Sequence, residues 1–276
     1  MMAHTTQIAV GAVVSLRRYP VKSMMGEELN AADVTARGLL GDRAYALLDP
    51  SNGHVVSAKN PRKWAKLFDC RAAFVEPPRA GEEIPPARIT LPDGTVLTSA
   101  QGDLTHRLST VLGREVTLAK AAPLAPRFEQ YWPDIQGLAH RDTMTEYAMP
   151  AGTFFDSAAV HLLTTATVDR LRDLYPQGRF EVRRFRPNIV VGPTSGEKTF
   201  VEQAWIGHTL AIGDGVRLRV TAPCPRCVMT MLSQDDLPQD PGILRTAAQH
   251  NQAVVGVYAD VLQGGTIRRG DPVRLE

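Results

Sequence analysis

Three cysteines in 276 residues are too few for a disulfide scaffold, and an odd number of them fits a reducing compartment. No stretch approaches the roughly 18 apolar residues of a membrane span. No basic segment precedes the first apolar run, "IAVGAVVSL", so that run reads as a strand and not as a signal peptide. A net charge of +2 is too small to argue for nucleic acid or an acidic membrane surface. Any anionic ligand must be met by arginines and lysines clustered locally. Also missing is a dinucleotide fingerprint: neither "GLLGDR" nor "GDGVRLR" places G-x-G-x-x-G between a strand and a helix. There is no internal repeat, no low-complexity tract and no long charge run. These absences leave a soluble cytoplasmic protein with no membrane or nucleic-acid partner and no dinucleotide motif of its own.

What is present is mostly strand. "RAYALLDP" alternates and stops at the turn cluster Asp49–Gly53, and "ARITLPDGTVLTS" has the form of a hairpin around Pro92-Asp93-Gly94. Helices are few and short. They are expected in "NPRKWAKLF" behind Asn60-Pro61, in "GDLTHRLSTVLG" up to Gly113, in "TATVDRLRDLY" and in "DPGILRTAAQHN". Further strands are expected in "VRRFRPNIVVG", "HTLAIGDGVRLRVTAP", "AVVGVYADVL" and the closing "TIRRGDPVRL". Many short strands with Gly/Pro punctuation and no βαβ alternation predict a mainly β (α+β) chain, barrel-like, with peripheral helices. At 276 residues one large or two smaller domains are expected. The irregular "AAPLAPRFEQYWPD" puts the boundary within 121–150, giving 6–130 and 131–276.

The chemistry concentrates in "VTAPCPRCVMTML", residues 220–232. A C-x-x-C pair can be half a zinc site, but no second pair and no H-x₃₋₅-H accompanies it. A dithiol couple expects the first cysteine at a helix N-terminus, whereas this pair follows the alternating "VRLRV" in a strand–loop–strand context. Plain burial suits Cys70 in "LFDCRAAFV" and suits "PCPRC" poorly. A thiol beside Arg226 on a Pro-punctuated loop has a stabilised thiolate, the form a metal ligand or nucleophile needs. The residues alone favour one working thiolate without choosing between Cys224 and Cys227.

"PCPRCVMT" after a strand, "RFRPNIVV" earlier, "YPVKSMMGEEL" near the start and "GLLGDRAYAL" soon after resemble the MOSC-domain proteins. The order of motifs is similar to that of the amidoxime-reducing group and its bacterial relatives. "FFDSAAVHLLTTATVDRL", "FVEQAWIGHTLAIGD" and "IRRGDPVRL" extend the resemblance from about residue 8 to the end. It implies a MOSC-type β-barrel with an N-terminal β-barrel-like domain. It also implies a molybdenum cofactor of the molybdopterin type, with Cys227 as metal ligand and catalytic thiolate and Cys224 as a neighbour. Molybdenum is thiophilic, which suits that assignment. Lys22 and Ser23 are implied as phosphate- or pterin-side contacts, and Arg43 and Arg186 as anion clamps, where a guanidinium fork suits phosphate. Asn188 is implied at a pterin edge, with Arg226 and Thr230 flanking the thiolate. One departure stands out: relatives of the amidoxime-reducing type carry a T-T-V-D run after the cysteine, and this chain has "VMTMLSQDDLPQD".

The same resemblance implies reduction of small N-hydroxylated or N-oxide compounds, with electrons from a separate flavin, haem or iron–sulfur protein. The alternative is a carrier of the cofactor, or of sulfur, without turnover of its own. Pyridoxal phosphate is not expected, since the chain has no room for a desulfurase domain. Asp42 is expected either to orient Arg43 or to meet a ligand. His161, flanked by apolar residues, is expected in the core, and Arg183 and Arg184 on a solvated strand face.

Overall fold

The structure, a computed structural model, describes residues 7–276. Positions 1–6, which bear on the expectation of no signal peptide and where the first expected domain begins, lie outside the described residues. Seven strands close a barrel: β1 (Ile8–Arg18), β2 (Val160–Thr164), β3 (Ile189–Pro193), β4 (Thr209–Ile212), β5 (Val216–Pro225), β6 (Val254–Gln263) and β7 (Pro272–Leu275). Their order is β3–β2–β6–β5–β4–β7–β1, and β1 pairs back on β3 to complete the ring. Closure leaves no bare edge between the first and last staves. The mainly β architecture with few short helices is the one the sequence predicts.

Alternation fills the barrel. In β5, Val216, Leu218 and Val220 point inward while Arg217 and Arg219 lie outward. They meet Leu16, Leu162, Ile189, Val257 and Val273 in one apolar core, as a period of two requires. β2 and β3 run parallel, joined through the helix at Thr165–Leu174. The register of β5 against β6 shifts three times, twice toward its end, and bulges of this kind bend a strand away from the regular ladder. That bend carries Cys224 to the barrel mouth.

The rest of the chain covers that mouth. Strands Arg71–Phe74, Ala87–Thr90 and Val96–Thr98 form a small sheet, backed by α1 (Leu104–Leu112), which ends at left-handed Gly113. Helices α2 (Thr165–Leu174) and α3 (Pro241–Asn251) lie outside the barrel, α3 capped by Asp240. The covering core joins Trp64, Leu67, Phe68, Leu104 and Leu108 to Cys227, Val228, Met229 and Met231. The turn after Cys227 is therefore clamped between both parts of the chain.

Three local expectations are corrected. The stretch expected to be irregular contains a strand, Arg127–Trp132, paired with Thr143–Ala148; Phe128 anchors it among Ala46, Val55, Met149 and Phe154. "VRRF" is a helical turn, Val182–Phe185, not a strand. The cause is Arg184, fully buried, whose guanidinium donates to the carbonyls of Arg179, Thr230, Leu232 and Pro238; a solvated strand face would offer none of these. Lastly, the apolar stretch after Cys227 forms a short 3₁₀ turn, Val228–Met231.

Candidate active site

Four elements deliver side chains to one cleft at the barrel mouth. The turn after β1 brings Lys22 and Ser23, and the next loop brings Arg43. The turn before β3 brings Arg186 and Asn188, and the end of β5 brings Arg226 and Cys227; all seven line the same cleft. Thr230 does not. It is fully buried, and its hydroxyl donates to the Cys227 carbonyl at 3.1 Å, closing the turn behind the cysteine.

Three cleft residues other than glycine hold left-handed backbone: Ser23 (φ 64°), Arg43 (φ 49°) and Arg186 (φ 54°). Each costs on the order of 1–2 kcal/mol, and such strain collects at functional sites. Hydrogen bonds hold each of them. Ser23 Oγ accepts from the Ala58 N–H at 3.1 Å. Arg43 pairs with the buried Asp42 carboxylate, which also accepts from Tyr19 N at 2.8 Å and Asn188 Nδ2 at 2.9 Å. Asp42 thus orients Arg43. Arg186 donates to Met24 O at 2.7 Å and lies over the Tyr19 ring, 4.1 Å from its centroid. The other end of the Asn188 amide accepts from His161 N at 3.1 Å, so this side chain braces β2 against the Arg43 loop.

Four cleft residues carry no sign of it in the local sequence: Lys59, Asp156, His161 and Tyr258. Asp156 forms ion pairs with Lys22 and, at 3.1 Å, with Lys59. Its "FFDS" context gives no charge pattern, because its partners lie far away in sequence. His161 is buried, as expected, yet it also reaches the cleft. Gly256 on β6 makes its room: a Cβ there would stand 2.4 Å from His161 Nε2.

Burial dominates the electrostatics. It pulls Lys22 down to about 8 against the opposing pull of Asp156, and it pulls Arg186 down to about 10. Burial also opposes the Lys59 charge, but Asp156 and Cys227 outweigh it and hold Lys59 above its ordinary value. The two lysines hold Asp156 well below the carboxylate range against its own desolvation. Its side chain is still 31% exposed to the cleft, so these pairs are partly screened by water.

Five cations and one carboxylate line the cleft together with one thiol, that of Cys227. Cys224 is completely buried behind Arg226. Arg226 Nε is buried without a partner, an unmet donor in the wall. The donor set fits a group that is anionic over one part and thiophilic at another. Among the described residues no cluster of three or more His, Cys, Asp and Glu converges on a point.

The MOSC domain family matches residues 150–274, and the MOSC N-terminal beta barrel domain family matches residues 10–67. The chain belongs to the MOSC-domain proteins and has both parts. More particularly, it is similar over nearly its whole length to mitochondrial amidoxime-reducing components. Component 1 of Mus musculus is 25% identical over 291 residues, covering 96% of this chain and 82% of the relative. Component 2 of Bos taurus is 26% identical over 298 residues, covering 96% and 83%. The YUAD protein from Bacillus subtilis shares the fold at a TM-score of 0.50 and 10% identity, covering 98% of this chain and 97% of that one.

Proposed function

We propose that the protein is a molybdenum-cofactor oxidoreductase that reduces small N-hydroxylated or N-oxide compounds, with Cys227 as the metal-ligating thiolate. The observation that carries this reading is the single cleft-facing thiol set among five cations. When bound, the molybdenum centre would supply oxygen removal and two-electron transfer. The other tasks in the cleft fall to the chain.

Cys227 offers a soft ligand on a turn fixed by Thr230 and by the surrounding core. Lys22, Arg43 and Arg186 face the anionic part of the ligand, and Lys59 joins them from the turn before Pro61. A guanidinium on an aromatic face, as Arg186 is on Tyr19, keeps its plane while its unused N–H groups remain available to phosphate. Asn188 and Asp42 act by holding Arg43 in place, and Ser23 keeps a free hydroxyl hydrogen to donate. Reducing an N–OH group to an amine and water consumes two electrons and two protons. Lys22, His161 and Tyr258 are among the cleft groups that carry exchangeable protons. The electrons come from a separate flavin, haem or iron–sulfur protein. The three free thiols, all buried, suit a reducing compartment, and the reading places the protein in the cytoplasm. No helix among the described residues is long and apolar enough to cross a membrane.

The test is metal content by mass spectrometry, on protein made with molybdate and an intact cofactor pathway. Molybdenum near one per chain in the wild type, retained at least in part in Cys224→Ala and lost in Cys227→Ala, is expected. Equal loss from both variants, or none bound to the wild type, would remove the single-thiolate assignment.

A further inference from the structure

Arg226 is a cation in an unusual position. Its Nη2 donates to Phe185 O at 2.8 Å and its backbone N–H to Ala253 O at 2.7 Å. Its Nε is buried without a partner. Among the described residues no carboxylate forms an ion pair with it. A desolvated guanidinium needs a counter-charge nearby, and the hydrogen-bond partner of its remaining nitrogen is a sulfur: Nη1 stands 2.8 Å from Cys224 Sγ.

We propose that Cys224 is a positioning residue, a buried thiolate that pins the Arg226 guanidinium in the cleft wall one residue before Cys227. Cys224 is completely buried at the end of β5. Arg226 faces it from its own segment, His161 from β2 and Tyr258 from β6. Burial pushes the thiol up, but Arg226, followed by His161 and Tyr258, together outweigh it and bring the thiol down to about 6. Cys70 is the internal control. It is equally buried, has no cation against it, and its thiol is pushed up to about 12. The two cysteines differ in their neighbours, not in their burial.

The consequence for the cleft is directional. With its charge met by Cys224, Arg226 stays in the wall and does not swing toward the Cys227 sulfur or into the space a ligand would take. Only this consequence rests on the proposed role of Cys227. The ion pair itself can be tested in the cofactor-free protein, so its failure is distinguishable from failure of the molybdenum reading.

The experiment compares Cys227→Ser with the double variant Cys224→Ser/Cys227→Ser, reading thiolate absorbance in the ultraviolet against pH. One thiolate titrating near pH 6 in the first and missing from the second is expected, and adding Arg226→Gln to the first should move that midpoint upward. The sign for stability follows from a lowered thiol. Stability from the pair is complete above the unfolded value near 9 and disappears as pH falls through 6. Wild type should therefore melt above Cys224→Ser at pH 8 and together with it at pH 5. Exchange of the Arg226 Nε–H, followed by NMR at neutral pH, should be slow in the wild type, fast in Cys224→Ser and slow again in Cys224→Asp. Should the double variant not fold, the titration of Cys227→Ser alone still decides. No thiolate below pH 8 in Cys227→Ser, or a melting difference that does not change with pH, would leave Cys224 a neutral packing thiol and overturn the proposal.

Discussion

At the scale of single residues, the cleft works by forcing cations together and letting burial and one carboxylate decide how charged they stay. Lys22 shows the balance. Its amine donates to Phe154 O at 3.0 Å and pairs with Asp156, yet desolvation still brings it down to about 8. An anion bound in the cleft favours the protonated form, so affinity for an anion of fixed charge should be level below pH 8. Above that it should weaken by up to about tenfold per pH unit. Sulfate, whose own charge is constant over this range, is the suitable probe, with calorimetry on cofactor-free protein as the measurement. In Lys22→Met the binding should be weaker throughout and the step near pH 8 gone; a step of equal size in that variant would assign the titration to another group. The residues that the sequence makes legible here are those in contiguous motifs: Lys22 and Ser23 in "PVKS", Arg43 in "GDR", Arg186 and Asn188 in "RPN", Cys227 in "PRC". Lys59, Asp156 and Tyr258 stay hidden because each acquires its role from a partner on another element. Arg184 is misread for the same reason. A run of arginines looks solvated until four carbonyls from 179, 230, 232 and 238 close around one of them.

Elements place these residues through their ends more than through their lengths. β5 delivers Cys224 and Arg226 after a bulged stretch, and β3 begins only after the left-handed turn at Arg186. The return from α3 into β6 passes through two consecutive left-handed residues, Gln252 (φ 51°) and Ala253 (φ 59°), and the Ala253 carbonyl receives the Arg226 N–H. The sequence marks the start of α3 plainly with Asp240-Pro241. Its end has no glycine, so the stop is not legible from residue type. Glycine at Gln252 would remove a left-handed penalty that a side chain pays. Gln252→Gly should therefore stabilise the protein by about 0.5–1 kcal/mol, seen as a higher melting temperature with the fold unchanged. A lower one would mean that the Gln252 side chain contributes more than its backbone costs. The hairpin Arg127–Trp132 with Thr143–Ala148 is the element the sequence hides best. Its proline-rich approach looks like a linker, and its second strand is largely exposed, so no apolar stripe marks it.

For the whole molecule the decisive feature is that the first strand belongs to the last barrel. β1 sits between β7 and β3, with Ala12 opposite Pro272 on one side and Val13 opposite Val191 on the other. Local patterns show that 8–18 is a strand, and nothing local shows where it pairs; long-range closure has a loop-entropy cost that only the assembled core offsets. A division of the chain at residues 130 and 131 can be tested on this ground. Residues 131–276 alone would keep Arg186, Arg226 and Cys227, lose Lys22, Arg43 and Lys59, and expose the β1-facing edges of both β3 and β7. Two bare edges beside an opened apolar core favour association over folding. The fragment should therefore be aggregated or lack dispersed NMR signals, and a peptide spanning 7–30, supplied during refolding, should restore a barrel spectrum. Cooperative unfolding of 131–276 without that strand would show that the barrel closes on its six remaining staves. The site would then be a feature added to a self-sufficient domain, and the N-terminal strand would not be needed for the cleft to form.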